Sequence, residues 1–169
     1  MSKSFLVISG TNRSNSNTLR VAQLYQKLLA EKGANQGLFS LEGWNWLEKN
    51  PAFEQVQKDI LLPASHLVFV TPEYNGSFPG VLKTMIDISD HRTIWQGKKA
   101  LLVGVSTGRA GNLRGMEHLT GILHYLKVDV HHNKLPISSV DKLRNAAGEI
   151  DDSGTLKAIN QQLEEFIHY

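Results

Sequence analysis

Apolar segments and amphipathic segments alternate five times along this chain, and the alternation constrains its fold more than any other feature. The segments with strand character are residues 5–8, 37–41, 66–70, 99–105 and 128–132. Apolar residues at helical spacing follow each of them. Such alternation predicts a parallel sheet with helices on both faces. We therefore predict an α/β fold, a three-layer sandwich around a five-stranded parallel sheet of order 2-1-3-4-5.

Caps and breakers predict where the helices begin and end. The first helix is predicted to begin at about Ser16 and to end before Gly33. Further helices are predicted over residues 51–61, directly after Pro79, over residues 113–126 and over residues 156–167. The proline, glycines and charges of residues 136–154 predict an exposed loop. With 169 residues, 41% of them hydrophobic, the chain is expected to form one domain over residues 1–169.

Three polar loops follow the first, third and fourth strands, at residues 10–18, 71–80 and 106–112. In open parallel sheets, ligands bind beyond the carboxyl ends of the strands, where the strand order reverses. In the order 2-1-3-4-5, the first two of these loops flank that reversal and the third lies next to them. The three loops are therefore expected to meet at one crevice.

The first loop has the composition of an anion-binding site. The start of a helix carries free N–H groups and a partial positive charge, which favour a phosphate. The natural donors here are Thr11, Arg13, Ser16, Asn17 and Thr18. The alternative is an ordinary helix cap that needs only one hydroxyl. The loop is neither a Walker A loop nor a three-glycine dinucleotide fingerprint, which disfavours triphosphate hydrolysis and classical dinucleotide binding.

Charge and composition exclude several other functions. The 18 basic and 16 acidic residues are too balanced to indicate nucleic-acid binding, and the absence of cysteine excludes thiolate metal sites and cysteine nucleophiles. His131 and His132 are expected on opposite faces of a strand, so no metal site is predicted. The N-terminal apolar run is too short for a signal peptide or a membrane span, so no membrane partner and a cytoplasmic location are expected.

Three motifs together resemble those of the NAD(P)H-dependent FMN reductase family, the flavodoxin-like azo and quinone reductases. The first is Gly-Thr-Asn-Arg at residues 10–13 with Ser-Asn-Thr at 16–18, the second is residues 72–83 with Ile-Asp at 86–87, and the third is Gly-Arg-Ala-Gly at residues 108–111. The Pro-Glu-Tyr-Asn stretch that opens the second motif is the most specific. The resemblance extends from residue 6 to about residue 126.

This resemblance implies a flavodoxin-like fold, FMN as cofactor, NAD(P)H as electron donor, and a homodimer or homotetramer. The residues implied to bind the FMN phosphate are Thr11, Arg13, Ser16, Asn17 and Thr18. Those implied to lie along the isoalloxazine ring are Pro72, Glu73, Tyr74 and Asn75, and those at its pyrimidine edge are Ser106, Thr107, Gly108, Arg109 and Gly111. Asn112 stands where many relatives have glycine, and it is expected to narrow the pocket at the edge of the flavin.

The predicted function is two-electron transfer from NAD(P)H to a small-molecule acceptor, such as a quinone, an azo compound or free flavin, by a ping-pong mechanism. No catalytic side chain is required, because the flavin accepts the hydride. Tyr74 is predicted to shape the acceptor site. One alternative is a flavodoxin-type electron carrier, although the chain lacks the acidic docking face of such carriers. Another is a serine esterase, since Gly104, Ser106 and Gly108 fit a nucleophile elbow, with Asp129 and His131 or His132 following in hydrolase order.

Overall fold

The computed structural model describes residues 3–169 and contains one parallel sheet. Its strands are β1 (Ser4–Ser9), β2 (Asn35–Ser40), β3 (His66–Pro72), β4 (Lys99–Val105), β5 (Asp129–Val130) and β6 (Leu135–Ile137). Their order is β2-β1-β3-β4-β5, and β6 also pairs with β4. The predicted order 2-1-3-4-5 is confirmed, with the fifth position shared by two short strands.

Within residues 3–169, six α-helices connect and cover these strands. They are α1 (Asn17–Glu31), α2 (Pro51–Val56), α3 (Gly80–Ile88), α4 (His91–Ile94), α5 (Leu113–Tyr125) and α6 (Ser153–His168), and α2 continues as a π-helical turn over Gln57–Leu61. The predicted start of the first helix is confirmed, because the Ser16 hydroxyl caps α1. None of the helices within residues 3–169 combines the length and the apolar character needed to cross a membrane.

The sheet buries both of its faces, as the apolar strands predict. Side chains at alternate strand positions point to opposite faces. Leu6, Ile8 and Phe69 pack with α2, α3 and α5 on one face, whereas Val7 and Val70 pack with α1 and α6 on the other. The three-layer arrangement is therefore confirmed, and it places the carboxyl ends of β1, β3 and β4 at one edge.

The predicted exposed loop over residues 136–154 is right for residues 144–152, which lie outside the helices and strands and are exposed or partly exposed, but it is wrong at its start. The segment Leu135–Ile137 pairs with Val103–Val105 of β4, and Ile137 and Val140 are buried. A three-residue strand with Pro136 at its centre is too short for any apolar periodicity, so the local sequence does not reveal it. The segment forms a strand because the backbone of β4 has hydrogen-bonding groups available for it to pair with.

The prediction that residues 131 and 132 close the fifth strand is also wrong. β5 ends at Val130, and the His131 and His132 rings lie side by side, with centroids 4.4 Å apart, instead of on opposite faces. Between β5 and β6 the chain leaves the sheet, and Gln162 of α6 fills the gap. Its Nε2 donates to the carbonyls of Leu102 (3.2 Å) and Asn133 (2.7 Å).

His66, at the first position of β3, is a buried titratable group. It is 5% exposed and lies between the rings of Phe5 and Phe166, at centroid distances of 4.9 and 5.4 Å. Burial, followed by the charges of Lys3 and Lys99, lowers the pKa of His66 from 6.5 to about 4. The folded chain therefore favours the neutral ring.

We expect the free energy of unfolding to fall as the pH is lowered from 6.5 to 4. The unfolded chain takes up a proton at His66 near pH 6.5, whereas the folded chain does so only near pH 4, so protons favour unfolding over this range. After a discount for partial solvent screening, the loss is about 2 kcal/mol. Urea denaturation at several pH values measures it. His66→Phe should remove most of this pH dependence, and His168→Asn, at an exposed side chain, should retain it. An unchanged pH dependence in His66→Phe would contradict the assignment.

Candidate active site

The three polar loops meet at the carboxyl edge of the sheet, around a cavity of about 730 Å³. This volume lies within the usual range for pockets that bind small molecules and cofactors. All the predicted site residues line the cavity except Thr11 and Gly111, which are buried. The predicted convergence is therefore observed. The ligand contacts assigned to these residues remain predictions.

The start of α1 forms one end of the cavity. The Ser16 Oγ accepts the N–H of Leu19 at 3.0 Å, as a helix cap does. Within residues 3–169, the N–H groups of Asn17 and Thr18 have no protein acceptor, as expected in a first helical turn. The exposed side chain of Arg13 lines the same cavity. The capping and anion-binding interpretations are therefore compatible, because the cap uses only one of the free N–H groups.

The Asn17 side chain is hydrogen-bonded to two residues from the C-terminal part of the chain, Asp141 and Arg144. Its Nδ2 donates to Asp141 Oδ1 (2.9 Å), and its Oδ1 accepts from Arg144 Nη1 (2.9 Å). Arg144 also forms an ion pair with Asp141 at 2.6 Å. Val140 lines the cavity, whereas Asp141 and Arg144 contact it only through Asn17, and none of the three was predicted. Opposite charges three residues apart fit a short helical turn, but no local signal connects them to residue 17.

A tight hairpin holds Tyr74 across the crevice. Asn75 and Gly76 both have positive φ angles, 52° and 78°, as the Asn-Gly centre of a type I′ turn requires, and Tyr74 pairs with Ser77 on either side. The Tyr74 hydroxyl shares a 2.6 Å hydrogen bond with Thr11 Oγ1, and the Arg13 guanidinium lies 4.2 Å from the centre of the ring. The ring of Tyr74 thus links the second loop to the first.

The third loop is folded around Ser106. Its Oγ donates to the Gly108 carbonyl (2.8 Å) and accepts the Gly111 N–H (2.9 Å). Among the residues that the structure describes, no protein acceptor faces the N–H groups of Thr107, Gly108 and Arg109. These groups are therefore free to donate to a ligand in the cavity.

The position of Ser106 argues against a serine esterase. His131 donates its N–H to the carbonyl of Ala100, near the beginning of β4. Ser106 follows the end of the same strand, and six residues of extended chain span about 20 Å. A catalytic triad requires hydrogen-bond contact between serine and histidine, so His131 and its neighbour His132 cannot serve Ser106.

His131, His132 and Glu165 form the one group of possible metal ligands found within residues 3–169, with ligand atoms within 4.8 Å of one another. Both Glu165 oxygens already accept amide hydrogens, from Asn133 (2.6 Å) and Gln161 (3.0 Å). The Nδ1 of His131 accepts the Asn133 N–H, so the neutral ring carries its proton on Nε2. In this arrangement Glu165 and the Nδ1 of His131 already have hydrogen-bond partners within the protein.

The expectation that Asn112 narrows the pocket is wrong. Its side chain is completely buried and points away from the cavity. The residue has a left-handed backbone, with φ at 62°, which turns the side chain inward to the carbonyls of Thr71 and Pro72.

An open parallel sheet of this order, with three ligand-type loops at its reversal point, defines a flavodoxin-like α/β protein. The fold is similar to that of a flavoenzyme NAD(P)H:acceptor oxidoreductase from Paracoccus denitrificans, with a TM-score of 0.78 and 23% identity over 99% of this chain and 96% of that one. Within this class, residues 4–139 match the model of the NADPH-dependent FMN reductase family, and the chain belongs to that family.

Two characterised relatives are similar in sequence. An NAD(P)H-dependent FMN reductase from Pseudomonas aeruginosa is 39% identical over 119 residues, which cover 68% of this chain and 63% of that protein. A 2-hydroxy-1,4-benzoquinone reductase from a Burkholderia species is 30% identical over 120 residues, which cover 69% of this chain and 66% of that protein. The matched region therefore spans slightly less than two thirds of either relative.

Proposed function

We propose that this protein is an FMN-dependent NAD(P)H oxidoreductase that passes two electrons, by a ping-pong mechanism, to a small acceptor such as a quinone, an azo compound or free flavin. The observation that carries the proposal is the convergence of three polar loops on one cavity in a member of the FMN reductase family. The names of the two relatives support a flavin or a quinone as acceptor.

The residues at the start of α1 fit the phosphate of FMN. The free N–H groups of Asn17 and Thr18 and the charge of Arg13 offer three donors at a positively polarised helix end. The hydroxyl hydrogen of Ser16 can add a fourth, because the cap uses only its oxygen lone pair. Thr11 supports the site from behind through Tyr74.

The other two loops fit the ring. We propose that Pro72, Glu73, Tyr74 and Asn75 lie along it and that Ser106, Thr107, Gly108, Arg109 and Gly111 meet its pyrimidine edge. When bound, FMN supplies the hydride-accepting chemistry. Free N–H groups at Thr107, Gly108 and Arg109 would stabilise negative charge at that edge, as the donors of an oxyanion hole do. No side chain needs to transfer a proton.

The acceptor would enter beside Tyr74, whose ring is held by Thr11 and Arg13. We propose that reduced nicotinamide and the acceptor use this opening in turn, that the reaction takes place in the cytoplasm, and that the chain forms a homodimer or homotetramer. The 85% exposed Tyr125 at the end of α5 supports an oligomer contact. A monomer mass measured by light scattering would reject the proposed homodimer or homotetramer.

The visible spectrum of the protein mixed with FMN tests the cofactor. We expect bound flavin, with bands that differ from those of free FMN, and rapid bleaching when NADPH or NADH is added without oxygen. Later addition of a quinone should restore the colour. Flavin that binds but bleaches only very slowly would instead support an electron carrier. A protein that binds no flavin would reject the proposal.

A further inference from the structure

Asn112 lies just before α5, but its side chain does not have the role that is usual for asparagine at the start of a helix. Gly111 and Asn112 are consecutive left-handed residues, with φ angles of 57° and 62°. Asn112 precedes the first residue of α5, where asparagine usually caps the helix with its side chain. Here the side chain makes no capping hydrogen bond. Asparagine adopts a left-handed backbone more readily than most residues, so the backbone suits the residue type while the side chain serves something other than the helix cap.

The Asn112 amide joins the third loop to the end of β3. Its Nδ2 donates to the carbonyls of Thr71 (3.0 Å) and Pro72 (2.9 Å), and the residue is completely buried. Two carbonyl acceptors fix the orientation of the amide, since the opposite orientation would place oxygen against oxygen. The Oδ1 has no hydrogen-bond partner among the described residues. The protein thus tolerates a buried unpaired oxygen in order to keep this double contact.

Two glycines make room for this side chain. A Cβ added at Gly115 would lie 2.1 Å from Asn112 Oδ1, and one added at Gly104 would lie 3.1 Å from Asn112 Cβ. Any other residue at Gly115 would therefore displace the amide. The surrounding backbone is shaped to hold Asn112 in a single position.

We propose that Asn112 is a positioning residue that fixes the distance between the two loops assigned to the flavin ring; this inference rests on the proposed function of the cavity. Asn112 directly follows the loop of residues 106–111, and Pro72 opens the loop of residues 72–75. Across the cavity floor, the Glu73 N–H to Val105 carbonyl bond of 3.2 Å is a longer second link. Without the amide, the N–H groups of residues 107–109 lose their fixed position relative to Pro72. A site whose loops are already in place binds its ligand more tightly, because fewer protein groups lose conformational freedom on binding.

Two variants that tolerate a left-handed backbone test this role. Asn112→Gly removes the amide, and Asn112→Asp keeps its shape but turns both donated bonds into repulsion. Because Asn112→Gly loses both hydrogen bonds to the end of β3, we expect the Kd for FMN to rise about 30-fold in this variant and further in Asn112→Asp. Fluorescence titration of the flavin measures both.

The reduction potential of bound FMN separates positioning from simple stability. The N–H groups of residues 107–109 are proposed to stabilise the negative charge of reduced FMN. If they are no longer held in position, the protein loses more affinity for reduced FMN than for oxidised FMN. We expect about a tenfold difference, which lowers the midpoint potential by about 30 mV. The matched control is Asn160→Gly, which removes an amide that donates to the Leu156 carbonyl outside the cavity and should leave both values unchanged.

The positioning role would be overturned if both variants had the same Kd for FMN and the same midpoint potential as the parent protein, even if their melting temperatures were lower. If Asn112→Asp fails to fold, Asn112→Gly decides the question alone, since glycine relieves the backbone at this position. A parent chain that binds no FMN would reject the proposed function instead, so the two failures can be distinguished.

Discussion

Gly104→Ala should raise the Kd for FMN at least about 100-fold and destabilise the fold by about 3 kcal/mol. An added Cβ would lie 1.9 Å from the carbonyl oxygen of Gly111, a backbone atom of the third loop. The loop cannot retreat, because the space beside Gly111 is filled: a Cβ there would lie 2.5 Å from Pro136. β4, the loop and β6 are thus stacked at backbone contact, and one methyl group must separate them. Fluorescence titration and urea denaturation measure the two effects.

Gly121→Ala is the matched control for this substitution. Gly121 lies in α5, and a Cβ there would meet nothing within 4 Å. We expect parental FMN affinity and about 1 kcal/mol of added stability, because alanine favours a helix over glycine. If Gly104→Ala bound FMN as tightly as Gly121→Ala, the close stacking of the loop on β4 would not matter for the site.

Arg13→Ala should weaken FMN binding about 100-fold and leave riboflavin binding almost unchanged. The exposed Arg13 lines the cavity together with Asn17 and Thr18, and a charged hydrogen bond to phosphate contributes about 1.5–3 kcal/mol. Riboflavin lacks the phosphate, so its affinity reports only on the ring site. The comparison also separates a phosphate contact from an indirect effect on Tyr74, whose ring lies under Arg13.

Arg20→Ala controls for the loss of a positive charge. Arg20 is an exposed arginine of α1 that does not line the cavity. Its removal should change FMN affinity less than about threefold, since surface charges at a distance are screened by salt. Equal losses in both variants would attribute the Arg13 effect to overall charge, and an equal loss of riboflavin and FMN in Arg13→Ala would assign Arg13 to the ring instead.

The sequence predicted the features that depend on local patterns. β4 was predicted with its exact bounds because a run of apolar residues flanked by polar ones is typical of a buried strand. The start of α1 followed from Ser16, and the convergence of the loops followed from strand order. These inferences need only neighbours along the chain and the general rules of parallel sheets.

Features that depend on distant partners were not predictable in the same way. β6 has a proline at its centre and becomes a strand only beside Val103–Val105. Asp141 and Arg144 bind the side chain of Asn17, more than 120 positions earlier. The inward turn of Asn112 depends on the space left by Gly104 and Gly115. In each case, the sequence shows the chemical type of the residue but not the distant residues that it contacts in the folded chain.

The gap between β5 and β6 bears on how the chain resists self-association. An open stretch of backbone at a sheet margin can recruit a strand from another molecule. Gln162 covers that stretch with two donated bonds and is itself anchored by the Tyr25 hydroxyl at 2.6 Å. One amide from a helix therefore protects the backbone of β4 at the point where no strand lies beside it.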